Sequence, residues 1–351
     1  MIILLVILIG FCVIGGGKYF QFNEDYISSR ITNSIKGILA ILILFSHMKG
    51  YVTLSDCYYD RWFSEILISI GQLMVAPYLF YSGFGIMESL KTKQSYMKTY
   101  PKKRIIKTLV NFDLAVILYI ISMSCIGIFY PAINYLTCWI GWDSVGNSNW
   151  FIFDILALYV MFYICYQACQ HFIPNDYEER KHKFIMLSIF SLFSFVLWVI
   201  LFFSKKGGWW IDTLLTFSLG TWFSYFRSYF EACMKRPILS YILLLSASFI
   251  FLLWKYRFGN DTIGIAACIF CIVLVMLCTK VVFNNRFLQW LGAHAFSIYI
   301  IQRLPMNIFQ HYGLNENAYL FTLISIPSVL LLAWGYNKII KVVDDNLITK
   351  C

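Results

Sequence analysis

Residues 36–47 read KGILAILILFSH, an apolar run with a basic residue at each end, Lys36 and His47. In an α-helix the eleven steps between them make about three whole turns, so both side chains face the same way, roughly 16 Å apart along the axis. The apolar-rich residues 35–51 are enough to enter a bilayer core. The stretch therefore predicts a membrane-spanning helix with His47 inside the membrane.

Two interpretations of His47 remain open. Ionisable residues at membrane depth are costly to bury and are functional hypotheses by default. The alternative is a histidine that hydrogen-bonds a neighbouring helix and only fixes packing. The spacing from Lys36, which places a second basic group on the same helix face, favours a functional role.

The composition is that of a polytopic membrane protein built from α-helices. Of the 351 residues, 60% are hydrophobic, 19% are aromatic and only 13% are charged, and the mean hydropathy is +0.70. A soluble domain carries about twice this share of charge. The net charge of +10 is expected from basic cytoplasmic loops, so it does not indicate nucleic-acid binding. The cysteines lie mostly in apolar runs without nearby histidine or carboxylate partners, so we expect no metal site.

Eleven apolar runs divide the chain, and we predict a transmembrane helix at each. We interpret the first, residues 1–17, as a retained short span, because a secretory signal would carry positive charge before its core. The other ten runs lie at about 35–53, 66–88, 105–129, 150–172, 184–204, 209–226, 237–255, 260–283, 290–310 and 318–340. We therefore predict one membrane domain over residues 30–342, followed by a cytoplasmic tail over residues 343–351.

Alternate loops differ sharply in charge. Residues 91–107 include seven lysines and arginines, whereas residues 130–149 include none. The other basic segments lie at 180–183, 227–236, 280–286 and 338–350. By the positive-inside rule, we predict that the protein lies in a cell membrane with its basic loops and its C-terminus on the cytoplasmic side. The Lys36 end of its helix would then face the cytoplasm, and His47 would lie toward the outside.

Charged side chains also occur within predicted spans. Arg303 lies nearest the middle of its span, and Asp113 is well inside another. An intramembrane arginine needs a carboxylate or backbone carbonyls as partners. An ion pair that fixes helix packing and a role in a functional site both remain open for these two residues. The other ionisable residues in spans are Glu88, Asp154, Asp212 and His294.

Four motifs, in this order, resemble those of the acyltransferase-3 family of integral membrane acyltransferases. Lys36-x10-His47 is similar to the family's basic residue, ten residues and histidine. The others are LFYSGF at 79–84, similar to Phe-x-x-Ser-Gly-Phe; KRIIK at 103–107, similar to Arg-x-x-Arg; and NWFI at 149–152, similar to Leu-Trp-Phe-Leu. A last patch, residues 291–300, also resembles the family. The chain departs from the pattern at Lys107, at Gln302, where many members have histidine, and in the extra span before the ten-helix core.

The resemblance implies transfer of an acyl group, usually acetyl, from acyl-CoA to a hydroxyl of a surface or secreted glycan. Acyl-CoA would be a co-substrate, with no bound cofactor. His47 would act as the general base, a role that typically contributes about 10²–10⁴-fold to the rate. Lys36 would hold the phosphates or another oxygen of the donor along its passage.

The basic cluster fits a polyanionic, cytoplasmic donor. Arg104 and Lys107 are three residues apart, so we expect them to share a helix face, and with Lys103 they would hold the phosphates of acyl-CoA. Arginine can bind phosphate bidentately, whereas lysine acts as a point charge. The alternative is that the seven basic residues of 91–107 only set the topology.

The acceptor site is less clearly indicated. Ser82 and Gly83 would allow two chain segments to approach closely. Trp150 and Phe151 begin a predicted helix at the outer interface, where aromatic residues are common anchors, and they could also stack on a sugar ring. Neither the glycan nor the acyl chain length is marked in the sequence.

Two other functions stay open. Intramembrane histidine, lysine, arginine and aspartate also occur in proton-coupled transporters, although the chain shows no paired halves. The second open function is that of a non-catalytic relative of the family, which exports glycan or serves as a scaffold for glycan assembly. Acyl transfer by the purified protein would favour the enzyme, and substrate flux without acyl-CoA would favour the transporter.

The charge pattern makes a direct prediction about topology. A reporter fused after Cys351 should be active only in the cytoplasm, because the basic loops hold that end inside. In a background with Cys57 and Cys138 replaced by serine, Ala132→Cys should react with an impermeant thiol reagent on intact cells and Lys98→Cys should not. Labelling of Lys98→Cys on intact cells would contradict the assignment.

Overall fold

The computed structural model describes residues 1–3, 5, 15–17, 21–172, 178–259 and 261–347. Helices dominate these ranges, which confirms the predicted all-α class. The first half forms α1 (Ser29–Lys49), α2 (Tyr58–Ile70), α3 (Ala76–Thr92), α4 (Tyr96–Tyr100), a π-helix (Pro101–Ile106), α5 (Lys107–Cys125), α6 (Ala132–Thr137) and α7 (Trp150–Phe172). The second half forms α8 (Glu179–Phe203), α9 (Leu215–Tyr225), α10 (Arg227–Met234), α11 (Pro237–Phe258), α12 (Ile263–Cys278), α13 (Arg286–Ala293), α14 (Ala295–Ile301), α15 (Arg303–His311) and α16 (Ala318–Leu347).

Helix α1 is continuous through the stretch that carries Lys36 and His47. It begins after Ser28, whose hydroxyl accepts a hydrogen bond from the Ile31 amide at 3.5 Å, a usual N-cap arrangement. It ends at Gly50, whose amide bonds back to the carbonyl of His47 at 3.0 Å. The predicted spacing of the two basic side chains along one helix is therefore present in the structure.

Seven helical segments of the described chain are long and apolar enough to cross a membrane. They are Ser29–Lys49, Tyr58–Thr92, Tyr96–Cys125, Trp150–Phe172, Glu179–Phe203, Pro237–Phe258 and Ala318–Asn346. The predicted runs at 209–226 and 290–310 are instead divided into shorter helices, and the run at 260–283 forms the 16-residue α12. Hydropathy counts apolar residues but does not detect a break in the backbone such as the one at His294, where φ is −99° and ψ is 4°.

The predicted first span over residues 1–17 lies mostly outside the described residues. Its last three residues, Gly15–Gly17, form a short antiparallel ribbon with Val281–Phe283 rather than helix. The ammonium group of Met1 lies 3.0 Å from Asp60 Oδ1.

Loops from distant parts of the sequence meet at the two ends of α1. At the His47 end, Asn307 Nδ2 donates to the Gly146 carbonyl at 3.0 Å, and the Asn315 amide donates to the carbonyl of Tyr51 at 2.7 Å. At the Lys36 end, the Asn23 amide donates to the Thr279 carbonyl at 2.9 Å. The segments that contain Gly146 and Asn315 thus meet at the same end of α1.

Two pairs of helices approach so closely that only glycine fits at the contact. A Cβ atom at Gly83 of α3 would overlap the Phe217 carbonyl of α9, and one at Gly220 of α9 would overlap the Phe80 carbonyl. The second pair joins α1 to α13 in the same way, through Gly37 and Gly292. These contacts hold α3 closely against α9 and α13 closely against α1.

The close approach at Gly83 predicts a specific loss of stability. Gly83→Ala should lower the stability of the folded protein by about 1–3 kcal/mol, because α3 or α9 must shift to admit the methyl group. Gly85→Ala is the matched control in the same helix, since no atom lies within 4 Å of its new Cβ, and alanine is the better helix former. Thermal unfolding in detergent measures both, and equal midpoints would contradict the packing described here.

Candidate active site

A cavity of about 330 Å³ lies between α1, α3, the π-helix, α7 and α14. It brings together side chains from five separate parts of the sequence: Lys36, Ser82, Arg104, Phe151 and Gln302. The walls are helix faces with residues at spacings of three and four. Examples are Lys36, Ala40 and Ile43 of α1, and Phe151, Ile155 and Tyr159 of α7.

The cavity is positively charged. None of the residues that line it is an aspartate or glutamate, and in the described part of the chain neither Lys36 nor Arg104 makes an ion pair. Lys36 Nζ lies 5.9 Å from the centre of the Tyr81 ring, and Arg104 Nε donates to the Tyr96 hydroxyl at 3.2 Å. The two cations interact with each other electrostatically. Buried charges of one sign without counter-charges favour an anionic ligand.

Hydroxyl and amide groups complete the polar lining. The hydroxyls of Ser82 and Tyr159 lie 2.7 Å apart and share a hydrogen bond. The Tyr78 hydroxyl donates to the backbone carbonyl of Lys36 at 2.6 Å, which ties α3 to α1. Gln302 is fully buried; its amide nitrogen donates to the Tyr299 carbonyl at 3.1 Å, and its side-chain oxygen has no partner.

His47 lies behind the cavity wall rather than in it. Its ring centre is 6.4 Å from that of Tyr299, and Tyr299 both lines the cavity and contacts the Phe151 ring at 5.4 Å. Nδ1 of His47 is buried and has no hydrogen-bond partner. The imidazole therefore has one unpartnered ring nitrogen and contacts Tyr299, a residue of the cavity wall.

Arg104 and its basic neighbours are placed differently. Arg104 lines the cavity, whereas Lys103 is exposed and Lys107 Nζ pairs with Asp344 Oδ2 of α16 at 2.6 Å. The expected shared face of Arg104 and Lys107 assumed α-helical turns, but residues 101–106 form a π-helix. Its wider i→i+5 turn moves residues three apart away from one face.

Other predicted residues serve packing or lie elsewhere. Gly83 packs α3 against α9, and Trp150 contacts Phe151 edge to face at 6.1 Å. Arg303 and Asp113 do not pair with each other, and each has a buried atom without a hydrogen-bond partner. Arg303 interacts electrostatically with His47 instead.

The sequence analysis did not identify the tyrosines of the cavity. Tyr78, Tyr81, Tyr159 and Tyr299 all line it, but they are hidden among 24 tyrosines in the chain. The spacing of Tyr159 from Phe151, two helical turns along one face, was the available signal. Asp154 was noted only as a charge within a span, yet it lies beside Ile155 of the cavity wall, fully buried, with both carboxyl oxygens unpartnered.

Comparison with known proteins gave one match. The model of the acyltransferase-3 family, described as "Acyltransferase domain", matches residues 30–338. No curated protein and no solved structure gives a significant match.

Proposed function

The chain belongs to the acyltransferase-3 family, and from this membership we propose that it moves an acyl group, by default acetyl, from acyl-CoA to a hydroxyl of a cell-surface or secreted glycan. Membrane acyltransferase activity follows from the family itself. The identities of the donor, the acyl group and the acceptor are part of this proposal. We also propose that the protein lies in a cell membrane with its C-terminus in the cytoplasm, and that it uses no cofactor besides the co-substrate.

The positive cavity is the observation that carries the proposal. Lys36 and Arg104 line it without a carboxylate, and acyl-CoA brings phosphate groups that both cations would bind. Guanidinium groups bind phosphate in a bidentate manner, and ammonium groups bind it as point charges. A volume of about 330 Å³ is at the low end for ligand sites. The cavity would therefore hold part of the donor, with its diphosphate beside Lys36 and Arg104, while the adenosine end would lie against the rest of residues 91–107.

His47 would catalyse the transfer. As the acceptor oxygen attacks the thioester carbonyl carbon, its proton passes to the free ring nitrogen of His47. The C–S bond then breaks, and the imidazolium returns the proton to the leaving thiolate, so that an ester and free CoA thiol are formed. A neutral imidazole is the form that this step requires. Tyr299 separates His47 from the cavity, so the thioester would meet the imidazole at the edge of this ring.

The remaining cavity groups would position the reactants. The Ser82–Tyr159 hydroxyl pair offers hydrogen bonds to the donor, with no base beside Ser82 to make it a nucleophile. Phe151 lines the cavity next to Tyr299 and would exclude water from the reacting atoms. Trp150, at the start of α7, would face the acceptor side.

Replacing Arg104 tests donor binding. Arg104→Ala should weaken the binding of acetyl-CoA by about tenfold or more, because a charged hydrogen bond to phosphate is lost. Arg180→Ala is the matched control, since Arg180 is exposed and bonds to Tyr229 at 2.8 Å, away from the cavity. Titration of the purified variants with acetyl-CoA measures the effect. Equal affinity in Arg104→Ala and wild type would mean that the cavity is not the donor site.

Replacing His47 tests the catalytic step. His47→Ala should fold at near wild-type yield, because Nδ1 makes no hydrogen bond that the change would break, and it should still bind acetyl-CoA. Turnover should fall by about 10² or more, the usual scale for a lost general base. His47→Gln should be nearly as inactive, since an amide takes up no proton at neutral pH.

The control for His47 is His311→Ala, at an exposed histidine, which should keep full turnover. If His47 only fixed packing, the results would differ: His47→Gln would be active and His47→Ala would give little folded protein. Acyl transfer and expression level, measured for all three variants, decide between the two interpretations.

A further inference from the structure

Arg303 faces the stretch of α1 between His47 and Tyr51. Tyr299, Arg303 and Asn307 follow each other at spacings of four residues, which places them along one side of α14 and α15. Tyr299 contacts His47, with ring centres 6.4 Å apart. Asn307 Oδ1 accepts a hydrogen bond from the Tyr51 hydroxyl at 2.6 Å. Arg303 lies between these two contacts and therefore points at the same face of α1.

Three groups near His47 are hydrogen-bond donors that lack an acceptor. Arg303 Nε is buried and unpartnered, and the hydroxyls of Tyr119 and Tyr299 are buried and donate no hydrogen bond. Tyr119 is fully buried and interacts electrostatically with both Arg303 and Tyr51. A carboxylate or phosphate accepts hydrogen bonds and donates none when ionised, so it is the complement of such a cluster.

No carboxylate of the described chain neutralises this arginine. Arg303 forms no ion pair with Asp113 or with Asp154, the carboxylate that interacts with Tyr299. Arg303 is partly buried, and its Nε is shielded from solvent without a partner, so an unpaired guanidinium in this position is unfavourable. The site is better satisfied by an anion that arrives from outside the chain.

The position of Arg303 indicates which substrate would bring that anion. The donor cavity, with Lys36 and Arg104, lies on one side of Tyr299, and Arg303 lies beyond Tyr299 toward the His47 end. On that side Asn307 Nδ2 donates to the Gly146 carbonyl at 3.0 Å, in the loop predicted to lie outside. A donor that enters past Lys36 leaves this side to the acceptor.

We propose that Arg303 binds an anionic substituent, a carboxylate or a phosphate, on the sugar that receives the acyl group. The acceptor is thus an acidic glycan, with its reacting hydroxyl held at His47 by the charge next to it. This inference rests on the proposed acyl transfer and adds the class of acceptor. Arg303 is a specificity residue here, and the guanidinium fork matches both anions.

The test compares acceptors that share the ring hydroxyls at C2, C3 and C4 and differ at C6, which carries a hydroxymethyl group, a carboxylate or a phosphate. Purified protein in detergent receives acetyl-CoA and one of three probes: methyl glucoside, methyl glucuronoside or the 6-phosphate of methyl glucoside. Wild type should prefer at least one anionic probe over the neutral one by about 10- to 100-fold in kcat/KM, the range for a charged hydrogen bond. Arg303→Met should remove that preference, and Arg303→Lys, which keeps the charge but loses the fork, should keep part of it. The two anionic probes separate carboxylate from phosphate.

Two controls accompany the comparison. Arg61→Met makes the same change at an exposed arginine and should leave the ratio between probes as in wild type. Arg303→Met should not lower the midpoint of thermal unfolding, because no ion pair is lost. The inference would be overturned if Arg303→Met unfolded at a much lower temperature while the ratio of kcat/KM between anionic and neutral probes stayed as in wild type. That ratio would be measured in Arg303→Lys and in whatever Arg303→Met protein is folded. Such a result would mean that Arg303 has a structural role.

The remaining outcomes are equally decisive. Equal loss of transfer to neutral and anionic probes in Arg303→Met would place Arg303 at the reaction itself and overturn its role in acceptor choice. The inference would also be overturned if the wild-type protein preferred the neutral probe, or if it bound acetyl-CoA but acylated none of the three probes. A wild type that neither binds acetyl-CoA nor transfers from it would instead refute the proposed function, and the inference would fall with it.

Discussion

Positive charge held within an apolar bundle, without carboxylate partners, is the constraint on which the rest of this structure depends. Lys36 and Arg104 share one cavity and interact with each other, and Arg303 lies near His47. Each ion taken out of water costs several kcal/mol unless it is paired. The chain offsets part of that cost with the Tyr81 ring under Lys36 and the Tyr96 hydroxyl on Arg104. The remainder is the physical basis for the anionic ligands proposed above.

Close helix packing gives these charges fixed positions. The glycine contacts hold α3 against α9 and α1 against α13, so the walls of the cavity are backbone segments that cannot separate without losing their contacts. The Tyr78 hydroxyl then ties α3 directly to the Lys36 carbonyl. Tyr299 lines the cavity and also contacts His47, so it lies between the two. The arrangement thus divides the interior into a side with Lys36 and Arg104 and a side with Arg303, which is what a transfer between two substrates requires.

Predictions from sequence were most accurate within a single regular helix. The relation of Lys36 to His47 follows from α-helical periodicity, and α1 is continuous across both. The relation of Arg104 to Lys107 was predicted from the same periodicity and is not found, because the π-helix changes the turn between them. The pairing of Arg303 with Asp113 was an open alternative. It depended on which helices become neighbours, and among the described residues Arg303 and Asp113 form no ion pair. Arg303 lies within electrostatic range of His47, another basic group.

The sequence by itself determined that the chain is helical and lies in a membrane, which loops share a charge, and which motifs resemble the family. These properties follow from local composition and from periodicity, which need no knowledge of distant contacts. Only the tertiary structure decided that Lys36, Ser82, Arg104, Phe151 and Gln302 line one cavity, that Tyr299 contacts His47, and that Arg303 forms no ion pair within the described ranges. Apolar helices resemble one another in sequence, so their neighbours are selected by close packing at a few glycines and by buried polar groups, and that selection becomes visible only when the helices are assembled.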